Sequence, residues 1–144
     1  MTKRLSETAI QAWARLIRVE QALLDKVEAD LKAADLPPLV WYDALLELSR
    51  AADNRLRHRD LHAQMLLAKY NLSRLIDRME ANGVIERVPC SDDRRGAHIA
   101  ITSKGRDLQR RMWPVYGRAI DRHFAGRLIE ADIADLNRVF AKLI

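Results

Sequence analysis

Residues 66–105 read LLAKYNLSRLIDRMEANGVIERVPCSDDRRGAHIAITSKG. Leu72, Leu75, Ile76 and Met79 recur at i, i+3, i+4 and i+7, which lays one apolar stripe along a helix. The pattern predicts a helix beginning near Ala68 and ending at Asn82-Gly83, because glycine suits the left-handed backbone of a helix stop. Val84, Ile85 and Val88 predict a strand, residues 90–96 a turn, and the alternation of His98, Ile99, Ala100 and Ile101 a second strand. Thr102 is then a good N-cap for a further helix. A helix, a stop and a hairpin with a charged turn (Asp92, Asp93, Arg94, Arg95) make the layout of a winged helix-turn-helix.

The apolar stripe leaves Lys69, Tyr70, Asn71, Ser73, Arg74, Asp77 and Arg78 for the other faces. Asn pairs bidentately with adenine and Arg with guanine, so Asn71 and Arg74 suit base edges. Tyr70 suits a thymine methyl or a phosphate, and Ser73 and Lys69 suit phosphates, with Arg78 completing the cationic face. In the hairpin turn, a narrow minor groove would attract arginine, and Arg94 is expected to enter it while Asp93 and Arg95 brace the loop. The two arginine roles are interchangeable on this reasoning. The plainer reading is a solvated helix face in a generally basic protein. Charge placement speaks against it: residues 50–111 hold 14 Lys/Arg and 8 Asp/Glu, a balance of +6, while the rest holds 11 and 12, a balance of −1.

Outward from this segment the chain reads as helices. Ser6 is a weak start for a long first helix over residues 7–33, with Trp13, Leu16, Ile17, Leu23, Leu24, Val27 and Leu31 at helical spacing. Pro37-Pro38 breaks it, and a second helix follows over residues 39–51. Leu56-Arg57 reads as a short strand, and a third helix over residues 59–66 is expected to bury Leu61, Met65 and His62. After Thr102, Leu108, Met112, Val115, Tyr116, Ala119 and Ile120 mark a long helix that Pro114 should kink or split. A last helix covers residues 130–143. The fold class is therefore mainly α with a small β-hairpin wing. A winged helix-turn-helix lobe (36–101) and a helical dimerisation layer (5–35 and 102–144) make up a single 1–144 chain. The first and last helices carry more apolar surface than a small lobe covers, and a two-fold pair would bury it. Two reading helices would then enter successive major grooves, about 34 Å apart.

Composition narrows the remaining classes. Apolar residues at 49% suffice for a core. No apolar run approaches the roughly 20 residues that span a bilayer, and the polar N-terminal stretch does not read as a signal peptide, so a cytoplasmic location is expected. His58, His62, His98 and His123 lack metal-site spacing, and no nucleophile, base, paired-carboxylate or phosphate-loop constellation stands out. An enzyme is not expected, nor a cofactor. Cys90 is the one cysteine, so no intrachain disulfide forms. Arg87 and Arg95 nearby would lower its pKa, which makes it a candidate redox switch; the alternative is an inert thiol at a strand end.

The quoted segment resembles the MarR (multiple antibiotic resistance regulator) family of bacterial transcription factors. The resemblance rests on Asp60-Leu61, the run Leu72-Ser73-Arg74-Leu75-Ile76-Asp77-Arg78-Met79-Glu80, Asn82-Gly83, the strand from Val84 to Val88, Asp93-Arg94-Arg95, and Ile101-Thr102 followed by Lys104-Gly105. With the helical flanks it covers nearly the whole chain. It implies a homodimer, one winged lobe per chain, a pseudo-palindromic double-stranded DNA operator, and often release by a small molecule or an oxidant. It also implies an effector pocket between the dimerisation helices and the lobe. Trp13, Trp41, Tyr42 and Tyr116, with an Arg or His at the mouth, would line such a pocket and suit a small aromatic, anionic ligand; the alternative for each is core or dimer interface. His62, Leu66 and Ala68 depart from the family pattern, which predicts a more helical, less tight turn before the reading helix. The expected function is a sequence-specific DNA-binding regulator, most often a repressor. The alternative is a winged-helix protein-interaction module without DNA binding, against which Asn71, Arg74, Arg94 and the basic segment argue.

Overall fold

Helix α1 (Glu7–Ala33) begins where Ser6 caps it, the Ser6 hydroxyl accepting the Ala9 N–H at 3.1 Å. The computed structural model describes residues 4–67, 71–89 and 97–144. Pro38 offers no capping side chain to α2 (Leu39–Arg50), and α1 supplies one instead: Glu28 accepts the Leu39 N–H at 2.6 Å. There follow a short 3-10 turn, β1 (Arg55–Arg57), α3 (His58–Gln64), α4 (Leu72–Ala81), β2 (Ile85–Pro89), β3 (Ala97–Ile101), α5 (Ser103–His123) and α6 (Glu130–Phe140).

The three strands form one antiparallel sheet in the order β1-β3-β2, with Leu56 opposite Ile99 and Arg87 opposite Ile99 on the other side. The expected two-stranded wing thus gains β1 as a third strand, paired with the central β3. One core ties the helices to this sheet. Leu31, Leu45, Leu48, Leu61, Ile76, Met79, Ile85 and Met112 are fully buried in it, from α1 to α5. Thr102 locks the start of α5 onto the turn after α4. Its N–H reaches the Val84 carbonyl at 3.1 Å, its hydroxyl donates to the Gly83 carbonyl at 2.6 Å and accepts the Gly105 N–H at 3.1 Å. Gly105 is required by this approach, since a Cβ there would lie 2.1 Å from the Val84 oxygen.

Several sequence expectations change. His62 is exposed, since α3 turns only Leu61, and Met65 just beyond it, toward the core. Pro114 does not split α5, which runs unbroken past it. Both Pro114 and Arg110, whose carbonyl loses its helical partner there, face solvent, where water can satisfy the group. The last helix stops at Phe140 rather than 143. Met65 leaves α3 with extended backbone (φ −63°, ψ 144°) and Asn71 is left-handed (φ 67°, ψ 26°); residues 68–70 of the turn expected to be more helical lie outside the described residues. A left-handed residue cannot continue a helix, so α4 begins at Leu72, not near Ala68.

Candidate nucleic-acid interface

Helix α4 is held by its apolar stripe. Leu72, Ile76 and Met79 are buried and Leu75 is half-buried. The opposite side carries Ser73, Arg74, Asp77 and Arg78, all exposed. Among the described residues, no ion pair engages Arg74 or Arg78. Ser73 lies 3.4 Å from the His58 Nε2 at the start of α3, so α3 and α4 present one continuous polar surface there. Asn71 is exposed and precedes the helix as its N-cap, its carbonyl accepting the Leu75 N–H at 3.1 Å. It is placed at the entry of α4 rather than on its flank. Lys69, Tyr70, Cys90, Asp93, Arg94 and Arg95 lie outside the described residues.

Two arrangements that position this surface were not picked out by sequence reasoning. Arg87 on β2 donates to Asp77 at 2.6 Å and to Glu80 at 2.5 Å, while its backbone N–H reaches the second Glu80 oxygen at 3.1 Å. The bond to Asp77, ahead of those to Glu80, raises the guanidinium pKa above its ordinary value. Strand β2 is thereby bolted to α4. The available signal was Asp77 and Glu80 at i, i+3 spacing, ten and seven residues before an outward-facing strand arginine. The second is Asp43, a buried carboxylate on α2 that accepts the N–H groups of Leu66 and Leu67 at 3.0 and 2.8 Å. Its signal was an acidic residue one helical turn after Leu39, on the buried side of an otherwise apolar run.

Between α2 and α5 opens a cavity of about 750 Å³ lined by Tyr42, Trp113 and Tyr116, with Arg50, Arg106 and Arg110 around it. The Tyr42 ring stacks at 6.1 Å on Trp113 and meets Tyr116 edge-on at 5.2 Å. Burial raises both phenol pKa values above the ordinary 10.0, opposed at Tyr42 by the Arg50 charge and a Gln109 hydrogen bond. Tyr42 and Tyr116 are thus brought together, with arginines near them. Trp13 and Trp41 are not: Trp13 sits 66% exposed on the uncovered half of α1, and Trp41, one residue from Tyr42, is rotated away against the core. Among the described residues no His, Cys, Asp and Glu cluster could hold a metal, and no helix is long and apolar enough to cross a membrane.

A helical lobe with a three-stranded wing sheet, an exposed α4 and long flanking helices defines a winged helix-turn-helix regulator fold. A sequence model for the MarR family matches residues 34–96. AbsC, a MarR family transcriptional regulator from Streptomyces coelicolor, is 30% identical, with 99% of this chain and 95% of that one aligned at a TM-score of 0.86. Sco3205, a MarR family transcriptional regulator from the same organism whose crystal structure is in complex with DNA, aligns at a TM-score of 0.89 and 24% identity over 99% of this chain and 89% of that one. The transcriptional repressor MprA of Escherichia coli is 26% identical over 98 residues, 68% of this chain and 55% of that protein, so the match spans about half the length of that relative. The chain belongs to the MarR family, a family of transcriptional regulators and not of enzymes.

Proposed function

We propose that this protein is a sequence-specific DNA-binding transcriptional regulator, a homodimer that acts as a repressor on a pseudo-palindromic operator. The observation that carries the reading is the exposed face of α4. Arg74, Arg78 and Ser73 lie opposite the buried Leu72, Ile76 and Met79, with Asn71 at the helix entry. The likeness of the whole chain to Sco3205, a protein crystallised with DNA, supports the same reading, as does the repressor MprA. Lys69 and Tyr70 belong to the same approach to the bases, and Arg94 and Arg95, braced by Asp93, to the wing. In helix-turn-helix docking the N-terminal end of the reading helix meets base edges, and here that end carries Asn71 and Arg74. The cytoplasm is the compartment this function implies.

In vitro selection from a random duplex pool tests the proposal. The wild type is expected to enrich two inverted half-sites about one helical turn apart, with affinity falling steeply as salt rises. Arg74→Ala should relax base choice at one position per half-site, at a cost of about 1–3 kcal/mol. No enrichment, together with a flat salt response, would leave the protein-interaction alternative standing.

The cavity between α2 and α5 supports a second layer: release of DNA by a small aromatic anion, received by Tyr42, Trp113 and Tyr116 and drawn by Arg50 and Arg110. Trp113 in the wall makes occupancy measurable by fluorescence, and a signal and DNA affinity unmoved by aromatic carboxylates would remove this layer.

A further inference from the structure

Asp43 is the buried charged side chain among the described residues, 6% exposed, on the same helix as the buried Leu39, Leu45 and Leu48. A buried carboxylate without an adjacent cation is costly unless hydrogen bonds satisfy it. Here two do: Oδ1 accepts from Leu66 and Oδ2 from Leu67, backbone groups 23 and 24 residues further along the chain. Bonds to an ionised acceptor are the strong kind, and both oxygens are used. Met65 and Leu67 pack that segment against the core, and the two bonds to Asp43 fix its backbone between them. Leu66 is 78% exposed, Met65 has left α3 with extended backbone, and Asn71 is left-handed before α4 begins. The bodies of α3 and α4 are anchored through Leu61, Leu72, Ile76 and Met79. Asp43 adds to those anchors a polar hold on the backbone at Leu66 and Leu67, where the chain leaves α3 for α4. The Asp43 charge also acts on the Tyr116 phenol, adding to the upward push of burial on that pKa.

Resting on the DNA-binding reading above, we propose that Asp43 is a positioning residue for DNA recognition: its carboxylate clamps the α3–α4 turn and so sets the pose in which α4 meets a duplex. The clamp needs a carboxylate, because only that group accepts two N–H bonds while donating none. In Asp43→Asn one oxygen becomes an NH2 that faces a backbone N–H, and the turn loses half its hold.

The experiment uses the full chain, a selected duplex and a scrambled one of equal length, well below each variant's melting temperature. Asp43→Asn is expected to lose about tenfold in affinity for the selected duplex, an effect of the size of one charge-assisted bond, while binding the scrambled duplex within about twofold of wild type. Hydrogen exchange at the Leu66 and Leu67 amides should accelerate in the same protein. Should Asp43→Asn not fold, Leu66→Pro decides alone. It deletes one donor, leaves the carboxylate intact, alters an exposed side chain, and follows a residue already in the extended backbone that a proline demands. A folded variant of either kind that keeps the wild-type ratio of selected to scrambled affinity overturns the role of Asp43 alone. Absence of any selective binding by the wild type overturns the DNA-binding reading and the positioning role with it.

Discussion

At the scale of single residues, the cavity between α2 and α5 shows how side-chain chemistry limits what the protein can hold. Its aromatic walls come from Tyr42, Trp113 and Tyr116, and burial keeps both phenols protonated beyond the ordinary tyrosine value. The walls are therefore neutral at physiological pH, and among the described residues no Asp or Glu lines the cavity. The charge at its edge is cationic. Arg106 is engaged by Asn54, whose amide oxygen accepts from it at 2.9 Å in the orientation that satisfies both amide atoms, and Arg110 pairs with Asp107 across solvent at 2.9 Å. Arg50 forms no ion pair among the described residues, and its charge already acts on the Tyr42 phenol. A benzoate-type ligand should quench Trp113 and weaken DNA binding. Arg50→Gln should cut its affinity by about tenfold, as expected for losing a charged hydrogen bond. The check is a fluorescence titration against Trp113→Phe, which removes the reporter and leaves the Trp13 and Trp41 background. An equal response in both proteins would place the ligand elsewhere. Of the four aromatic residues expected around a pocket, Tyr42 and Tyr116 line this cavity and Trp13 and Trp41 do not, because aromatic residues on neighbouring helices look alike until their rotation about each helix is known.

At the scale of elements, the relation between α4 and the wing depends on Arg87. Its three hydrogen bonds reach Asp77 and Glu80, and both carboxylates are solvent-exposed, so their contribution to global stability is small, about 1 kcal/mol or less. Their effect on geometry is separable from their charge. The double variant Asp77→Asn, Glu80→Gln makes the lobe more positive, and by electrostatics alone it should bind every duplex more tightly. If the brace sets the angle between helix and wing, affinity for the selected duplex should instead fall while affinity for scrambled DNA rises. Parallel increases in both would show that the brace does not matter for recognition. Periodicity made most of the elements legible. Helix α1 has the bounds its apolar spacing predicts, and the Ser6 and Thr102 caps act where local sequence places them. The start of α4 was not legible, because one long-range contact and one unannounced backbone conformation lie at its entry. Asp43 holds the turn from a helix more than twenty residues earlier, and Asn71 adopts a left-handed conformation that Asn tolerates but does not announce. The third strand of the wing was read only as Leu56-Arg57, since three residues are too few for alternation to register; pairing with β3 defines it.

At the scale of the whole molecule, the lobe is covered and the flanks are not. Helix α1 buries only Val27 and Leu31, near its C-terminal end, and α6 buries nothing. Ile10, Trp13, Leu16 and Val19 on α1 and Val139, Phe140 and Leu143 toward the C-terminal end all remain exposed. Full burial of one such side chain is worth about 1.5–3 kcal/mol, so leaving seven in water favours any partner that covers them. A second copy of the same chain meets that need with a two-fold interface, in which one patch serves both sides. The homodimer is also what a palindromic site requires: joining two lobes turns the second half-site contact into an intramolecular one. Placing charges in the uncovered surface with Trp13→Glu and Val19→Glu should give a monomer by sedimentation velocity. The lobe of that monomer should melt with its α2–α5 core intact, because neither residue belongs to the core cluster. On DNA the monomer should lose the advantage of joined half-sites. Its salt slope should fall to about half that of the wild type, since half as many phosphates are neutralised per binding event. A variant that stays dimeric would move the interface off α1. A wild type that sediments as a monomer, with the same salt slope as the variant, would remove the two-fold assembly from the mechanism.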